Sequence, residues 1–199
     1  MPLTRSSSKL GAGKLRIVGG SLRGSKLAIA DVAGLRPTPD RVRETLFNWL
    51  APSIAGARCL DLFAGTGALG IEALSRGAAR VDFVERDARL AQQLRDNLAR
   101  LKQTDASVRN ADALSLLMEA PELAYDLAFL DPPFDADLWD VATQRLEAQG
   151  WLGVNALIYI ESPASVAPSP PLTWRLHREN RAGAVRYALY RRSAKLGSS

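Results

Sequence analysis

The sequence predicts an α/β protein: a parallel sheet covered by helices on both faces, closed by an antiparallel hairpin and preceded by a small β-hairpin. Three observations predict it. From residue 57 onward, strand-like and helix-like segments alternate, the pattern of a parallel sheet. A Gly65-x-Gly67-x-x-Gly70 run follows the first of those strands and opens the next helix, the setting of a ligand-binding βα turn. The chain then ends in two strand-like segments with no helix between them, which a plain dinucleotide-binding plan lacks.

Each element has a local reason. Residues 1–13 are rich in Ser, Gly and Lys without periodicity and are expected to form a flexible tail, as are 193–199. Segments 15–20 and 26–30 read as short strands joined by Ser21-Leu-Arg-Gly, a hairpin studded with Arg16, Arg23 and Lys26. Thr38 is a good N-cap, Pro39 suits the first helical position and Asp40 the positive helix end. Val42, Leu46, Trp49 and Leu50 then recur at helical spacing, predicting a helix over 39–50. Residues 14–50 thus form a basic N-terminal extension, and 51–192 the main domain.

Within that domain, 59–64 is a buried-strand run, 69–76 a short helix and 80–85 a strand. Asp87 caps a helix carrying Leu90, Leu94, Leu98 and Leu101 on one face. A weaker strand at 106–110, a helix near 113–119 and a strand at 125–130 follow. A helix over 137–149 presents Leu138, Val141, Ala142 and Leu146, and 156–161 is a strand. The proline-rich stretch 163–171 leads to strands 172–177 and 185–191, with 178–184 as the turn.

Composition narrows the function classes. A chain of 199 residues with 47% hydrophobic and 24% charged residues can bury a core, which excludes extended disorder as its main state. No apolar run reaches the ~18 residues a membrane span needs, and the polar start lacks a signal peptide's apolar stretch. One cysteine, Cys59, excludes an internal disulfide; one histidine, His177, excludes a His-rich site, and no metal is expected. A cytoplasmic enzyme is expected, and a monomer, since no zipper pattern is present. The net charge of +5 is unevenly spread: +6 over residues 1–50, −7 over 51–171 and +6 over 172–199. Basic ends around an acidic centre suit a polyanionic partner such as nucleic acid.

The glycine run reads Leu60-Asp-Leu-Phe-Ala-Gly-Thr-Gly-Ala-Leu-Gly. Glycines there permit a sharp turn and close approach of backbone to ligand. Glu85 ends the next strand, twenty residues after Gly65, where a carboxylate can accept both hydroxyls of an adenosine ribose. An adenosine-containing cofactor follows, and the fingerprint alone leaves a nicotinamide dinucleotide open. Asp61 in the preceding strand could meet a methionine ammonium, and Asp112 at the end of the third strand an adenine amine, which favours S-adenosylmethionine. Asp112 equally suits a helix N-cap. The candidate cofactor set is Asp61, Phe63, Ala64, Gly65, Thr66, Gly67, Glu85, Arg86, Asp112 and Ala113.

Asp131-Pro-Pro-Phe134 closes the fourth strand, at the sheet edge where open α/β sheets bind ligands. Asp131 and the Pro132 carbonyl can accept the two N–H bonds of an exocyclic amine, Pro132 and Pro133 fix the backbone, and Phe134 can stack on a base. A base bound there must leave its helix or loop. These four residues are the candidate catalytic set. A proline turn closing a strand is the plain alternative.

These motifs resemble the class I S-adenosylmethionine-dependent methyltransferases that modify exocyclic amines. From Leu15 to Arg192 the chain is similar to the RsmD family of 16S rRNA guanine-N2 methyltransferases. The likeness rests on Arg16-Ile-Val-Gly-Gly, on Leu35-Arg-Pro-Thr38 with the helix through Leu50, on the glycine loop and on Asp131-Pro-Pro-Phe134. It implies a Rossmann-like seven-stranded mixed sheet, and methylation at N2 of the guanine designated 966 in the family's activity name. It also implies a small-subunit (30S) assembly as substrate. By position, Gly65, Gly67, Glu85 and Asp112 hold the cofactor, and Asp131, Pro132 and Phe134 the base. Candidate RNA contacts are Arg16, Arg23, Lys26, Arg36, Thr38 and Arg41, with Arg43 beside them. The same chemistry on DNA adenine or another RNA is the nearest alternative. Cys59 and Trp49 read as core, His177 as a surface or packing residue, and Asp131 stands where C5 chemistry would need a cysteine.

Overall fold

The computed structural model describes residues 14–29 and 38–193; Arg36, the expected tail 1–13 and all but the first residue of 193–199 lie outside the described residues. Two short strands, β1 (Lys14–Arg16) and β2 (Lys26–Ala28), pair antiparallel. Helix α1 (Asp40–Leu50) follows, and then β3 (Arg58–Asp61), α2 (Ala68–Ser75), β4 (Arg80–Glu85), α3 (Ala88–Arg100), β5 (Ala106–Asn110), α4 (Ala113–Leu116) and β6 (Tyr125–Leu130). Helix α5 (Trp139–Ala148) and strands β7 (Leu152–Pro163), β8 (Trp174–Ala182) and β9 (Val185–Arg192) complete the fold.

The main sheet has seven strands in the order β5-β4-β3-β6-β7-β9-β8. Strands β5, β4, β3, β6 and β7 are parallel, while β9 runs antiparallel to both β7 and β8. The chain winds outward from β3 in both directions, so the crevice between β3 and β6 is the topological switch point, where such sheets bind ligands. This is an α/β Rossmann-like fold with an added β-hairpin. Among the described residues no helix is long and apolar enough to cross a membrane.

Two cores lie on the two faces of the sheet. One joins Ile17 and Leu27 of the hairpin region to Leu46 and Phe47 of α1, Ile71 of α2, Leu94 of α3 and Phe129 of β6. The other joins Leu60 and Leu130 to Trp139 and Leu146 of α5. Helix α1 buries Val42, Arg43, Leu46, Phe47 and Leu50, and Phe47 meets Phe129 with ring centroids 6.1 Å apart. Trp49 is half-buried and stacks on Tyr187. Every residue of α2 is buried, Glu72 and Ser75 included, because the Val18, Gly19 and Leu22 N–H groups pack over that polar face and donate to it. The N-terminal hairpin covers the side that would otherwise meet water. In α3 Asp87 accepts from the Arg89 and Leu90 N–H groups, and Leu90, Leu94 and Leu98 are buried, as the sequence predicts.

Long-range contacts move several expected boundaries. The strand expected over 15–20 stops at Arg16, because the Val18 and Gly19 N–H groups donate to the Glu72 carboxylate (2.9 and 2.8 Å) instead of to β2. Thr38 does not cap α1: Pro39 is the N-cap residue and no side chain bonds there. Helix α4 is one turn, and α5 starts at Trp139, rotating its buried face onto Trp139, Ala142, Thr143 and Leu146 in place of Leu138 and Val141. The expected turn 178–184 is strand through Ala182, since β9 pairs with β8 as far as Ala182↔Val185 and the turn needs only two residues. Arg43 is fully buried and cannot contact RNA.

Arg43 explains how the extension is fastened. Its guanidinium donates to the Thr38 carbonyl (3.2 Å), the Arg16 carbonyl (2.8 Å) and Asp40 (2.5 Å), and lies 3.6 Å from Glu72 Oε2. Glu72, also fully buried, accepts from Arg76 as well (2.9 Å). Removing the Glu72 carboxylate leaves Arg43 with only the half-exposed Asp40 as counter-charge and strips the Val18 and Gly19 N–H groups and Arg76 of their acceptor, a loss of the order of a broken buried pair, about 3–5 kcal/mol. Glu72→Ala is therefore expected to lower unfolding stability by about that amount, read as the shift in urea midpoint, and to expose the hairpin to proteolysis ahead of the sheet.

Candidate active site

The carboxyl ends of β3, β4, β6 and β7 each carry an acid: Asp61, Glu85, Asp131 just past Leu130, and Glu161. Asp61 is buried and its Oδ2 accepts the Gly70 N–H (3.0 Å), tying the strand end to the first turn of α2. Burial pushes its pKa up to about 7, the Gly70 bond opposes this, and the Glu85 charge adds to it. Glu85 receives the Gly65 N–H on one oxygen (2.8 Å) and the Asp87 N–H on the other (2.7 Å). A carboxylate has about four acceptor positions, so two remain for a ligand's hydroxyls.

The loop between them is fixed by its glycines. Gly67 has φ 75°, and a Cβ there would sit 2.3 Å from Leu94 Cδ1. At Gly70 a Cβ would meet Phe83 Cε1 at 2.1 Å. Ala64 and Thr66 are buried, Phe63 and Gly65 half-buried. Asn110, at the end of β5, donates to the Glu85 and Arg86 carbonyls (2.9 Å each), steadying the end of β4; Arg86 itself is exposed. Asp112 is exposed and caps α4 through the Ser115 N–H (2.8 Å), and Ala113 is buried behind it. The cap uses one Asp112 oxygen and leaves the other available.

At the end of β6, Pro132 is buried and Asp131 half-buried, while Pro133 and Phe134 are exposed. The Pro133 carbonyl accepts from Ala136 (3.0 Å); the Pro132 carbonyl accepts no hydrogen bond among the described residues. Phe134 is 41% exposed, and its ring centroid lies 6.1 Å from that of Trp139. Trp139 in turn donates from Nε1 to the Glu161 carbonyl (2.8 Å). Thr38 is buried between two acids: its Oγ1 lies 3.2 Å from Glu161 Oε2 and 3.5 Å from Asp131 Oδ2. The Tyr159 hydroxyl donates to the same Glu161 oxygen (2.8 Å). Burial, the Glu161 charge and then the Asp61 charge hold the Asp131 carboxyl well above the usual carboxylate range. Burial likewise raises Glu161, against the bonds from Tyr159 and Thr38.

With this geometry in place, the comparisons with known proteins are decisive. The family model described as Conserved hypothetical protein 95 matches residues 15–191. The Escherichia coli K12 protein Ribosomal RNA small subunit methyltransferase D is 52% identical over 186 residues, covering 93% of each chain. Its Haemophilus influenzae namesake is 46% identical over 181 residues, covering 89% of this chain and 94% of that one. The chain belongs to the RsmD family of methyltransferases. The solved structure of yhhF from Escherichia coli superposes with a TM-score of 0.86 at 49% identity, covering 92% of this chain and all of that one.

The RsmD-family fold brings the glycine-loop residues and the Asp131 corner together at the carboxyl ends of the strands, with Asp61 and Asp131 near enough to repel. The basic candidates are placed elsewhere. Arg16, Arg23 and Lys26 are exposed on the hairpin and Arg41 on α1. Arg16 and Arg23 border a depression shared with Asp40 and Glu44, and Arg16 makes an exposed 3.8 Å pair with Asp40. Sequence reasoning missed Glu161 and Tyr159. An acid ending the apolar run Ala156-Leu-Ile-Tyr-Ile was a usable signal, of the same kind that marked Glu85.

The raised Asp61 pKa has a definite sign. The native state keeps a proton between the ordinary value of 3.8 and about 7 that the unfolded chain has lost. This group's stabilising share is present below that window and is lost as pH rises through it. Asp61→Asn is expected to remove that share of the slope, up to about 4 kcal/mol, in urea titrations across the window.

Proposed function

We propose that this RsmD-family enzyme transfers the methyl group of S-adenosylmethionine to the exocyclic N2 amine of a guanine in 16S rRNA, within a small-subunit assembly. The observation that carries the reading is the juxtaposition of two acceptor sets. An amine-accepting corner, Asp131 with the free Pro132 carbonyl, stands beside the carboxylate-rimmed glycine loop of β3 and β4. The names of the 52% and 46% identical relatives support the small-subunit rRNA substrate.

The donor set fits the cofactor. Asp61 suits an ammonium, the two remaining acceptor positions of Glu85 suit a pair of ribose hydroxyls, and the free Asp112 oxygen suits an adenine amine. The cofactor supplies an activated methyl on a sulfonium. Asp131 and the Pro132 carbonyl accept the two N–H bonds and turn the nitrogen lone pair toward that methyl. Their pull on the N–H bonds localises a lone pair otherwise delocalised into the ring. Phe134, backed by Trp139, stacks on the base after it leaves its loop. Orientation and charge placement then carry most of the rate. Arg16, Arg23, Lys26 and Arg41 meet RNA phosphates.

Labelled methyl is expected to pass from S-adenosylmethionine to small subunits lacking the modification, and to be recovered as N2-methylguanosine by mass spectrometry. Label recovered in DNA as N6-methyladenine would discard the substrate. Asp131→Ala is expected to abolish turnover, a loss of at least about 100-fold, while RNA retention on filters is kept. Arg23→Ala and Lys26→Ala are each expected to lower the salt slope of RNA binding by about one. Cofactor binding should tighten as pH rises from 6 to 8 as Asp61, with its pKa near 7, ionises to meet the ammonium. Calorimetry in buffers of different ionisation enthalpy reads the released proton.

A further inference from the structure

Four oxygens form a chain at the amine corner: Asp131 Oδ2, Thr38 Oγ1, Glu161 Oε2 and Tyr159 Oη, with gaps of 3.5, 3.2 and 2.8 Å. Three gaps need three protons to be hydrogen bonds. The two hydroxyls supply one each, and a hydroxyl fills only one gap as donor. Thr38 Oγ1 is within donor reach of both acids but has one proton, which the shorter gap assigns to Glu161; the longer gap to Asp131 is bonded only when a third proton sits on a carboxyl. Glu161 Oε2 already receives both hydroxyl protons, which favours its charged form, so the third rests on Asp131 and points at Thr38.

That placement is poor for the reaction proposed above, because a protonated Asp131 offers the amine only a neutral carbonyl oxygen, a weaker acceptor than a carboxylate, and cannot take a proton from it afterwards. We infer that Glu161 is the proton partner of Asp131, connected through the Thr38 hydroxyl, and that it takes the Asp131 proton when the amine binds. This rests on the amine-methylation reading and assigns a role to two residues it does not use. Thr38 gives its own proton to Glu161 and receives that of Asp131, so each oxygen ends with a full valence. Asp131 then accepts the N–H bond as a carboxylate. After the methyl is transferred, the nitrogen sheds one proton; that N–H bond breaks with its electron pair staying on nitrogen, and Asp131 takes the proton. Glu161 then gives its proton up to solvent, which resets the chain.

The surroundings permit one negative charge and oppose two. Asp61 of β3 lies near enough to Asp131 to repel it, and Tyr187 of β9 lies opposite Glu161 in the sheet register. Arg43 reaches the segment from α1, but its guanidinium is committed to the Thr38 and Arg16 carbonyls and Asp40. No cation contacts either carboxylate among the described residues. Glu161 acts through Asp131 and is a positioning residue; the link is Thr38.

The test follows the Asp131 carboxyl itself, by isotope-labelled aspartate NMR of the full chain, its signal assigned by loss in Asp131→Asn. Glu161→Gln removes the neighbouring charge, so Asp131 is expected to titrate about one pH unit or more lower. Tyr159→Phe keeps the carboxylate but removes a donor to it, so Glu161 holds the proton more firmly and Asp131 again titrates lower. It serves where the glutamine variant folds poorly. In single-turnover methylation, Glu161→Gln and Thr38→Val are expected to lose about tenfold or more in rate, with KM for the RNA substrate unmoved and rate restored by Thr38→Ser. An unmoved Asp131 titration in both Glu161→Gln and Tyr159→Phe overturns the inference, as does full-rate transfer by Thr38→Val. The titration needs no RNA, so absence of N2-methylguanosine would sink the substrate reading and leave this result standing.

Discussion

The buried Glu72 carboxylate is the interaction on which the working end of the molecule depends. It gathers the Val18 and Gly19 N–H groups, Arg76 and the approach of Arg43 at a single point on α2. Arg43 in turn holds the Thr38 carbonyl, and the Thr38 hydroxyl stands between Asp131 and Glu161. A chain of four contacts thus runs from the covering hairpin to the Asp131 corner. A charge pair with no exposure is costly to desolvate. Here the cost is offset by two backbone donors and a second arginine. What the arrangement secures is the position of a segment that no sheet hydrogen bond holds.

Electrostatics explains why the site is acidic inside a basic protein. Four carboxyls at neighbouring strand ends repel one another, and burial adds to the penalty. Backbone N–H groups at Gly65, Gly70 and Asp87 stabilise two of them. The rest of the strain is relieved by holding protons. A pocket of acceptors without a counter-charge is selective for ligands that bring positive charge and N–H donors. The basic residues Arg16, Arg23, Lys26 and Arg41 are exposed on the hairpin and α1.

The sheet's asymmetry has a similar logic. Its parallel strands place their carboxyl ends side by side, which gathers the acids. The antiparallel β9 inserts between β7 and β8 and presents Tyr187 opposite Glu161, closing the site's far side without another loop. Phe129, flanked by Phe47 and Tyr159, anchors the strand that carries Asp131.

What the sequence determined by itself is whatever short-range chemistry controls. The α/β alternation, the Asp87 cap, the glycine loop with Glu85 and the Asp131-Pro-Pro-Phe134 corner are all set within a few residues or one βα unit. Strands 80–85, 106–110 and 125–130 coincide with β4, β5 and β6 for that reason. Tertiary structure decided what depends on distant partners. Thr38 looks like a helix cap in sequence, yet its hydroxyl serves acids 93 and 123 residues away. Arg43 looks like a surface charge, yet Glu72 draws it into the core. Strand β8 outruns its own propensity because β9 extends the ladder beside it. Periodicity and capping act along the chain and can be read from it. The destination of a polar side chain depends on which donors and acceptors folding brings within 3 Å or so, and only the assembled structure sets that.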